Sequence, residues 1–254
     1  MKHVLTRLSL LLLAVALLLP LAACKPTEPE PQPREKEVWL CYSKQVYGVE
    51  PYQEFDYYDE YGNWIKNERK YPNGKVTVWL YEYDQNHNLI RRSVDTGKGE
   101  PFVQLICTYD ENGRLVEERN INTQGESVYT YQYDQQGRRL SCSYKDEVVE
   151  VYTYEADGSY RVGKPGNPTI YALYNADGRV LERHNNSATK VLYTYNDAGI
   201  LLEEVTYNGE TVNTRTKHYL DEHGNAIKVT RQYGEGEETV SSESEYRLYT
   251  VKVK

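Results

Sequence analysis

A phrase of about ten residues recurs along the chain and constrains its fold more than any other feature. It reads Tyr-x-Tyr-Asp, two residues, Gly, and then a polar and an apolar residue, and its clearest copy runs from Tyr131 to Leu140. Eight copies follow one another at intervals of 20–26 residues. Aligned on the Asp position, they fall at Asp59, Asp84, Asp110, Asp134, Glu155, Asn175, Asn196 and Asp221. A period of this length, sustained along the chain, indicates a stack of like supersecondary units.

The spacing inside the phrase predicts a β-hairpin. An Asp or Asn at the first turn position hydrogen-bonds to the backbone two residues on, and a Gly three residues later accepts the left-handed conformation. In the second copy His87 stands where the other copies have Gly. Single hairpins are barely stable in water, so we expect them to stack. The sequence therefore predicts an all-β fold, an extended twisted antiparallel meander of about eight repeated hairpins that could be coiled.

Residues 1–24 have the features of a bacterial secretion signal. A positively charged start precedes an apolar run over residues 8–19, which is too short to span a bilayer. The tetrapeptide that ends with Cys24 resembles the bacterial lipobox, in which the Cys is lipidated after cleavage. The resemblance implies a membrane-anchored protein in the cell envelope, outside the cytoplasm, on the outer membrane or cell surface. The alternative is an ordinary cleaved signal that leaves Cys24 as a thiol.

Two further segments follow the signal. Residues 25–36 contain four prolines among Glu, Gln and Lys, so we expect a tether that extends to about 37 Å at ~3.1 Å per residue. Residues 37–254 form the predicted β-hairpin repeat domain. Its first and last strands lack the repeat phrase, as terminal units of repeat arrays often do. The last strand carries Lys252 and Lys254, which we expect to blunt an exposed sheet edge.

Charge and cysteine content exclude some functions. The net charge of −8 disfavours nucleic acid as a partner. Besides Cys24 there are three cysteines, Cys41, Cys107 and Cys142. An odd number cannot form a complete disulfide framework. In a meander Cys107 and Cys142 lie about three strands apart, roughly 14 Å, too far to bridge. We expect all three to be small buried hydrophobic residues.

The sequence contains no recognisable catalytic constellation. It has no nucleophile elbow, no phosphate loop, no His-Glu-x-x-His and no Cys-x-x-Cys motif. His218, Asp221 and His223 cluster around one repeat turn but do not have a recognised metal-ligand spacing. We therefore expect no enzymatic activity, no cofactor and no metal.

Aromatic residues are the remaining candidates for function. The chain has 26 tyrosines, many of them in repeat positions that suit strand packing. An exposed aromatic surface would instead stack on sugar rings or bind a protein. Trp39, Trp64 and Trp79 are the candidate ligand-binding residues, and the sequence leaves open which tyrosines are exposed.

The repeat phrase resembles the YD repeats of Rhs-type bacterial surface and toxin proteins, most closely in the segments from Cys107 to Leu115 and from Tyr131 to Leu140. In that family the repeats form a long sheet that spirals into a hollow shell. For eight degenerate copies we expect an open, twisted or partly coiled sheet. The segment from Tyr71 to Trp79 also resembles MORN-type hairpin repeats of bacterial lipoproteins, which is the second family considered.

These observations favour a membrane-anchored extracytoplasmic lipoprotein that serves as a binding or adhesion module. The bilayer would hold it through acylated Cys24, and its ligand would be a glycan, a cell-wall polymer or a protein. The alternative is a structural subunit of a cell-envelope protein complex. The sequence does not say whether the bacterium has one membrane or two.

Overall fold

The computed structural model of the protein describes residues 34–253, and every regular element there is a β-strand, as predicted. The strands are β1 (Arg34–Val46), β2 (Tyr52–Tyr58), β3 (Trp64–Lys70), β4 (Val76–Tyr83), β5 (Leu89–Asp95), β6 (Phe102–Tyr109), β7 (Leu115–Asn122), β8 (Gly125–Tyr133), β9 (Arg139–Tyr144), β10 (Glu147–Tyr154), β11 (Tyr160–Lys164), β12 (Asn167–Tyr174), β13 (Val180–His184), β14 (Thr189–Tyr195), β15 (Leu201–Asn208), β16 (Thr211–Leu220), β17 (Ala226–Tyr233) and β18 (Thr239–Val253). Within this range no helix has the length and apolarity needed to cross a bilayer.

The N-terminal predictions fall largely outside the described residues. The signal segment 1–24, Cys24 and residues 25–33 of the tether lie there. Strand β1 begins at Arg34, three residues before the predicted start of the repeat domain at residue 37.

The eight repeat copies occupy eight hairpin turns. The turn at Asp59 joins β2 to β3, the turn at Asp221 joins β16 to β17, and the six copies between them have the same relation to their strands. Strands β1 and β18 flank the repeats at either end. The predicted hairpins are therefore present, with one further strand on each side.

The sheet closes on itself, which corrects the predicted open meander. Each strand pairs antiparallel with the next, and β18 also pairs with β1. At this junction the Tyr47 amide donates to the Ser241 carbonyl at 2.9 Å. Lys252 does not blunt a free edge, because its Nζ lies 2.6 Å from Glu60 Oε2. Closure pairs the backbone groups that two edge strands would leave open.

A recurring β-bulge supplies part of the curvature. The register shifts at the last residue before the turn in the repeat hairpins, for example between Gln132 and Tyr133 and between Thr108 and Tyr109. The β10–β11 hairpin lacks this shift. A bulge bends its strand and increases the local twist. Repetition of one local bend around the sheet brings its two ends together.

The repeat turn has the predicted chemistry. The Asp134 carboxylate accepts the backbone amides of Gln136 at 2.9 Å and Arg138 at 2.8 Å. Its second oxygen accepts from Arg138 Nε at 2.7 Å. Gly137 donates to the Asp134 carbonyl and has a φ of +80°. His87 adopts the same left-handed conformation with a φ of +63°, so the backbone geometry is kept where the glycine is absent.

In six of the eight repeats the second tyrosine of the phrase ties its hairpin to an earlier strand. In five of these repeats its hydroxyl donates to the carbonyl of the first residue of the second strand in the preceding hairpin, and in the first repeat it donates to a carbonyl within β1. The bonds are Tyr58 to Cys41 (2.8 Å), Tyr83 to Trp64 (2.9 Å), Tyr109 to Leu89 (2.9 Å), Tyr133 to Leu115 (2.7 Å), Tyr154 to Arg139 (2.9 Å) and Tyr195 to Val180 (2.8 Å). A phenylalanine could not make this bond, which explains the tyrosine in the motif.

We call the sheet side that carries these tyrosines the tyrosine face. Strand alternation also places Thr77, Leu105 and Cys107 on it, each less than a tenth exposed. Side chains converge on the inside of a closed sheet, so this more buried side is the inner one. Among the described residues no large side chain is fully buried. Closed sheets of about 16–18 strands are too wide for side chains to fill.

The cysteines of the described chain are free thiols. Cys107 and Cys142 are buried, as predicted, and lie on β6 and β9. Cys41 is half-buried. Burial is the main cause that raises its pKa to about 12, and Asp56 adds to this effect.

Candidate functional site

Two of the three predicted ligand-binding tryptophans meet in one pocket. Trp64 at the start of β3 and Trp79 in β4 line a concavity of about 300 Å³ on the tyrosine face. Glu54, Asn67, Arg69, Tyr81 and Arg92 complete its lining. We call this the tryptophan pocket. Trp39 lies elsewhere and stacks on His223, with ring centroids 4.6 Å apart.

Strand alternation explains why these side chains share one face. Asn67 pairs with Trp79 across the β3–β4 ladder, and Tyr81 pairs with Arg92 across β4–β5. Paired residues point to the same side, as do residues two apart on one strand. The ring centroids of Trp64 and Tyr81 lie 6.1 Å apart, and the Trp64 residue is nearly half exposed to solvent. An aromatic surface is therefore open to solvent within the pocket.

Arg69 has both an ion-pair partner and aromatic partners in and beside the pocket. Its Nε lies 2.6 Å from Glu54 Oε2. Its guanidinium sits 4.7 Å from the centroids of both Tyr52 and Trp79, in cation–π geometry. Burial opposes the charged form, but the bond to Glu54 raises the pKa of Arg69 above its ordinary value. Arg69 therefore stays charged and holds Trp79 in place.

Arg92 has no such partners. Its Nε is buried without a hydrogen-bond partner among the described residues. Two other polar residues of the tyrosine face, Asn67 and Asp56, are hydrogen-bonded to each other, with Asn67 Nδ2 donating to Asp56 Oδ1 at 2.7 Å. Burial raises the pKa of Asp56. The pocket thus combines aromatic surface, a paired guanidinium and an unpaired one.

A second concavity of the tyrosine face, about 290 Å³ in volume, carries two carboxylates. Glu118 accepts from Asn120 Nδ2 at 2.7 Å, and Glu150 accepts from the Tyr152 hydroxyl at 3.1 Å. Each carboxylate is therefore occupied by a strand neighbour. Burial, reinforced by Glu118, raises the pKa of Tyr131 in the same concavity.

The histidines of the last repeat turn are not brought together as ligands. His218 lies 3.6 Å from Glu204, whose pKa the histidine lowers, while His223 stacks on Trp39. Over residues 34–253 no group of three or more His, Cys, Asp or Glu side chains is arranged to hold a metal ion.

Sequence reasoning named Trp64 and Trp79 but missed Glu54, Arg69 and Arg92. The sequence did contain a signal for part of this lining, namely a turn that fixes the pairing of two strands. The turn at Tyr71–Lys75 fixes the β3–β4 pairing, and alternation from Trp79 then marks Asn67, Arg69 and Tyr81 as neighbours on one face.

The family model of the RHS repeat matches residues 109–145. Over these residues the chain carries an RHS-type repeat. The matched segment includes β7, β8 and β9 with the repeat turn at Asp134, so the first of the two expected repeat families is confirmed.

Several solved structures match much of this chain at low sequence identity. The crystal structure of TcdB2-TccC3 without its hypervariable C-terminal region shares 15% identity over 78% of this chain, with a TM-score of 0.35. The Photorhabdus luminescens Tc holotoxin pore shares 14% identity over 77%, with a TM-score of 0.31. The match covers only 10% and 9% of those chains. At these TM-scores the likeness supports no functional assignment. No curated protein matches the chain.

Proposed function

We propose that this YD-repeat protein is a binding module whose tryptophan pocket receives a glycan or cell-wall polymer. The observation that carries the proposal is the meeting of Trp64 and Trp79 with polar and charged groups in one solvent-open pocket. Ligand sites typically combine aromatic lining with a few placed polar groups. The proposed role involves no catalysis, no cofactor and no nucleic acid.

The pocket has the size and chemistry for a sugar ring. Its volume of about 300 Å³ is at the lower end of ligand sites, which fits one ring of a longer chain. Trp64, which is 46% exposed, offers flat apolar surface, and the guanidinium of Arg92, whose Nε has no hydrogen-bond partner among the described residues, lies beside it in the lining.

The test is a binding screen of the full-length protein in detergent against a glycan array and purified cell-wall polymers, followed by titration of any hit. We expect Trp64→Ala and Trp79→Ala to weaken binding at least about tenfold, since each removes a stacking surface worth ~1.4 kcal/mol or more. Trp39→Ala is the matched control and should bind normally. Absence of any hit, or equal losses in all three variants, would refute the site.

We also propose that the module is held at the extracytoplasmic side of a bacterial membrane by lipid on Cys24. The support is the lipobox-like tetrapeptide that ends at Cys24. Two or more acyl chains suffice for stable residence in a bilayer. Metabolic labelling with palmitate should mark the wild type and leave Cys24→Ala unlabelled. An unlabelled wild type would contradict the anchor.

A structural subunit of a cell-envelope protein complex is the second candidate function. The RHS repeat matched over residues 109–145 supports it, because the repeat hairpins build a closed sheet that is itself a structural framework. A partner that co-purifies in fixed stoichiometry, together with wild-type behaviour of Trp64→Ala, would favour this function over glycan binding.

A further inference from the structure

Arg92 occupies an unusual position for an arginine. It lies in the middle of β5, paired with Tyr81 on one side and Leu105 on the other, and it points to the tyrosine face. Its side chain is half-buried and its Nε is shielded from solvent. Among residues 34–253 its Nε has no hydrogen-bond partner. Burying a charged donor without a partner costs free energy, so a resident anion would stabilise this site.

The lining of the tryptophan pocket has more positively than negatively charged side chains, whereas the whole chain has a negative net charge. Its lining holds two guanidinium groups, Arg69 and Arg92, and one carboxylate, Glu54. Glu54, the one carboxylate of the lining, is taken up by Arg69 at 2.6 Å. The nearby Asp56 carboxylate accepts from Asn67 at 2.7 Å, and burial raises its pKa, which favours its neutral form. The chain as a whole has a net charge of −8. The lining of the pocket is therefore cationic, although the protein as a whole is acidic.

We infer that the ligand of the tryptophan pocket is an acidic sugar, whose ring stacks on Trp64 or Trp79 and whose carboxylate is bound by Arg92. The inference rests on the proposed function and adds the ligand class to it. A carboxylate carries one negative charge and matches the planar fork of a guanidinium. A phosphate monoester carries nearly two charges at pH 7, more than the single surplus charge of the pocket.

The experiment compares sugars that differ only in the acidic group. Tryptophan fluorescence of the full-length protein is titrated with the methyl glycosides of glucuronic acid, galacturonic acid and N-acetylmuramic acid. Each is paired with its neutral counterpart, namely glucose, galactose and N-acetylglucosamine glycosides. At least one acidic sugar should bind about tenfold more tightly than its counterpart, the usual effect of one charge-assisted hydrogen bond. The difference should shrink as salt is raised.

Two arginine variants locate the effect. Arg92→Gln should remove the preference for the acidic sugar, so that the acidic and neutral members of each pair bind with equal affinity. Arg91→Gln is the matched control, because Arg91 is adjacent in sequence, lies on the opposite sheet face and pairs with Glu82 at 3.7 Å. It should keep the full preference.

The outcomes separate this inference from the function on which it rests. If neutral and acidic sugars bind equally, and Trp64→Ala abolishes both, glycan binding stands and the acidic class is wrong. If the preference survives in Arg92→Gln, the carboxylate is bound elsewhere and the inference fails. If no sugar of either kind binds, both proposals are refuted.

Discussion

Arg139 and Arg92 lie on the same face of the same closed sheet, yet their surroundings differ. The guanidinium of Arg139 lies 4.3 Å from the ring of Tyr131 and within 6 Å of those of Tyr133 and Tyr152. It also donates to the Tyr152 hydroxyl at 3.4 Å. Although burial opposes the charge, these tyrosines raise the pKa of Arg139. Arg92 has neither a cation–π partner nor a hydrogen bond among the described residues.

The different surroundings of the two arginines show that a repeat sheet can supply partners for one guanidinium and leave the Nε of another without a hydrogen-bond partner. Where tyrosines from neighbouring repeats surround a guanidinium, its charge is satisfied by the fold and no ligand is needed. In the tryptophan pocket the positions around Arg92 carry Trp79, Tyr81 and Leu105, and the charge is left for something else to satisfy. Two arginines of one sheet face therefore serve packing in one region and, in our proposal, ligand recognition in the other.

The largest expected effect tests this contrast directly. Arg139→Gln should destabilise the protein by roughly 2 kcal/mol, since it removes cation–π contacts in a half-buried site together with a hydrogen bond. Arg92→Gln should change the free energy of unfolding by no more than about 0.5 kcal/mol, because no contact is lost. Urea denaturation of both variants, with Arg91→Gln as a surface reference, measures the difference. Equal losses at positions 139 and 92 would mean that the two regions do not differ as described.

A smaller effect is expected from removing the tyrosine hydroxyl bonds, which are present in both regions. Tyr133→Phe and Tyr83→Phe each remove a hydroxyl that donates to a carbonyl of the preceding repeat, at 2.7 Å and 2.9 Å. Each should cost about 1 kcal/mol, the net worth of a typical intramolecular hydrogen bond. Tyr174 is the matched control, because it occupies the same repeat position but stacks on Tyr160 at 4.7 Å, and among the described residues its hydroxyl has no partner.

Tyr174→Phe should therefore leave the urea midpoint almost unchanged. If it costs as much as the other two substitutions, the hydroxyl bonds are not what the tyrosine contributes. If Tyr83→Phe and Tyr133→Phe differ by more than about 0.5 kcal/mol, the tyrosine ladder is not common to both regions.

The smallest effect is a pH dependence from the repeat turns, which lie outside both regions. The backbone amide and the side chain of Arg114 lower the pKa of Asp110 below its ordinary value. Such a carboxylate binds protons more weakly in the folded state, so its contribution to stability is present above the unfolded pKa of about 3.9. The contribution is lost as the pH falls through the lower folded pKa. Urea midpoints measured between pH 6 and pH 2.5 should fall for the wild type.

In Asp110→Asn the fall should be shallower, since the amide keeps the turn geometry and does not titrate. The natural chain already uses Asn in this position, where Asn175 accepts the Arg179 amide at 2.8 Å. A variant whose acid-side slope matches the wild type would show that Asp110 does not contribute to the pH dependence.

Much of the fold followed from short-range chemistry. The Asp-to-Gly spacing predicted eight hairpin turns, and each anchor lies between two paired strands. Two of three candidate tryptophans, Trp64 and Trp79, proved to share a pocket, although Trp39 did not. The arginines were missed because a charged residue in a strand reads as a solvated surface until the register shows which neighbours surround it.

The sequence by itself determined the repeat unit, because turn geometry depends on residues only a few positions apart, as in Asp134 and Gly137. It also determined that a tyrosine hydroxyl would be available at a fixed place in seven of the eight hairpins, the last of which has Leu220 there. The tertiary structure alone decided that β18 meets β1, because closure depends on small bends added up over the whole sheet. It also decided that Arg69 is paired while Arg92 is not, since both outcomes rest on partners from other strands.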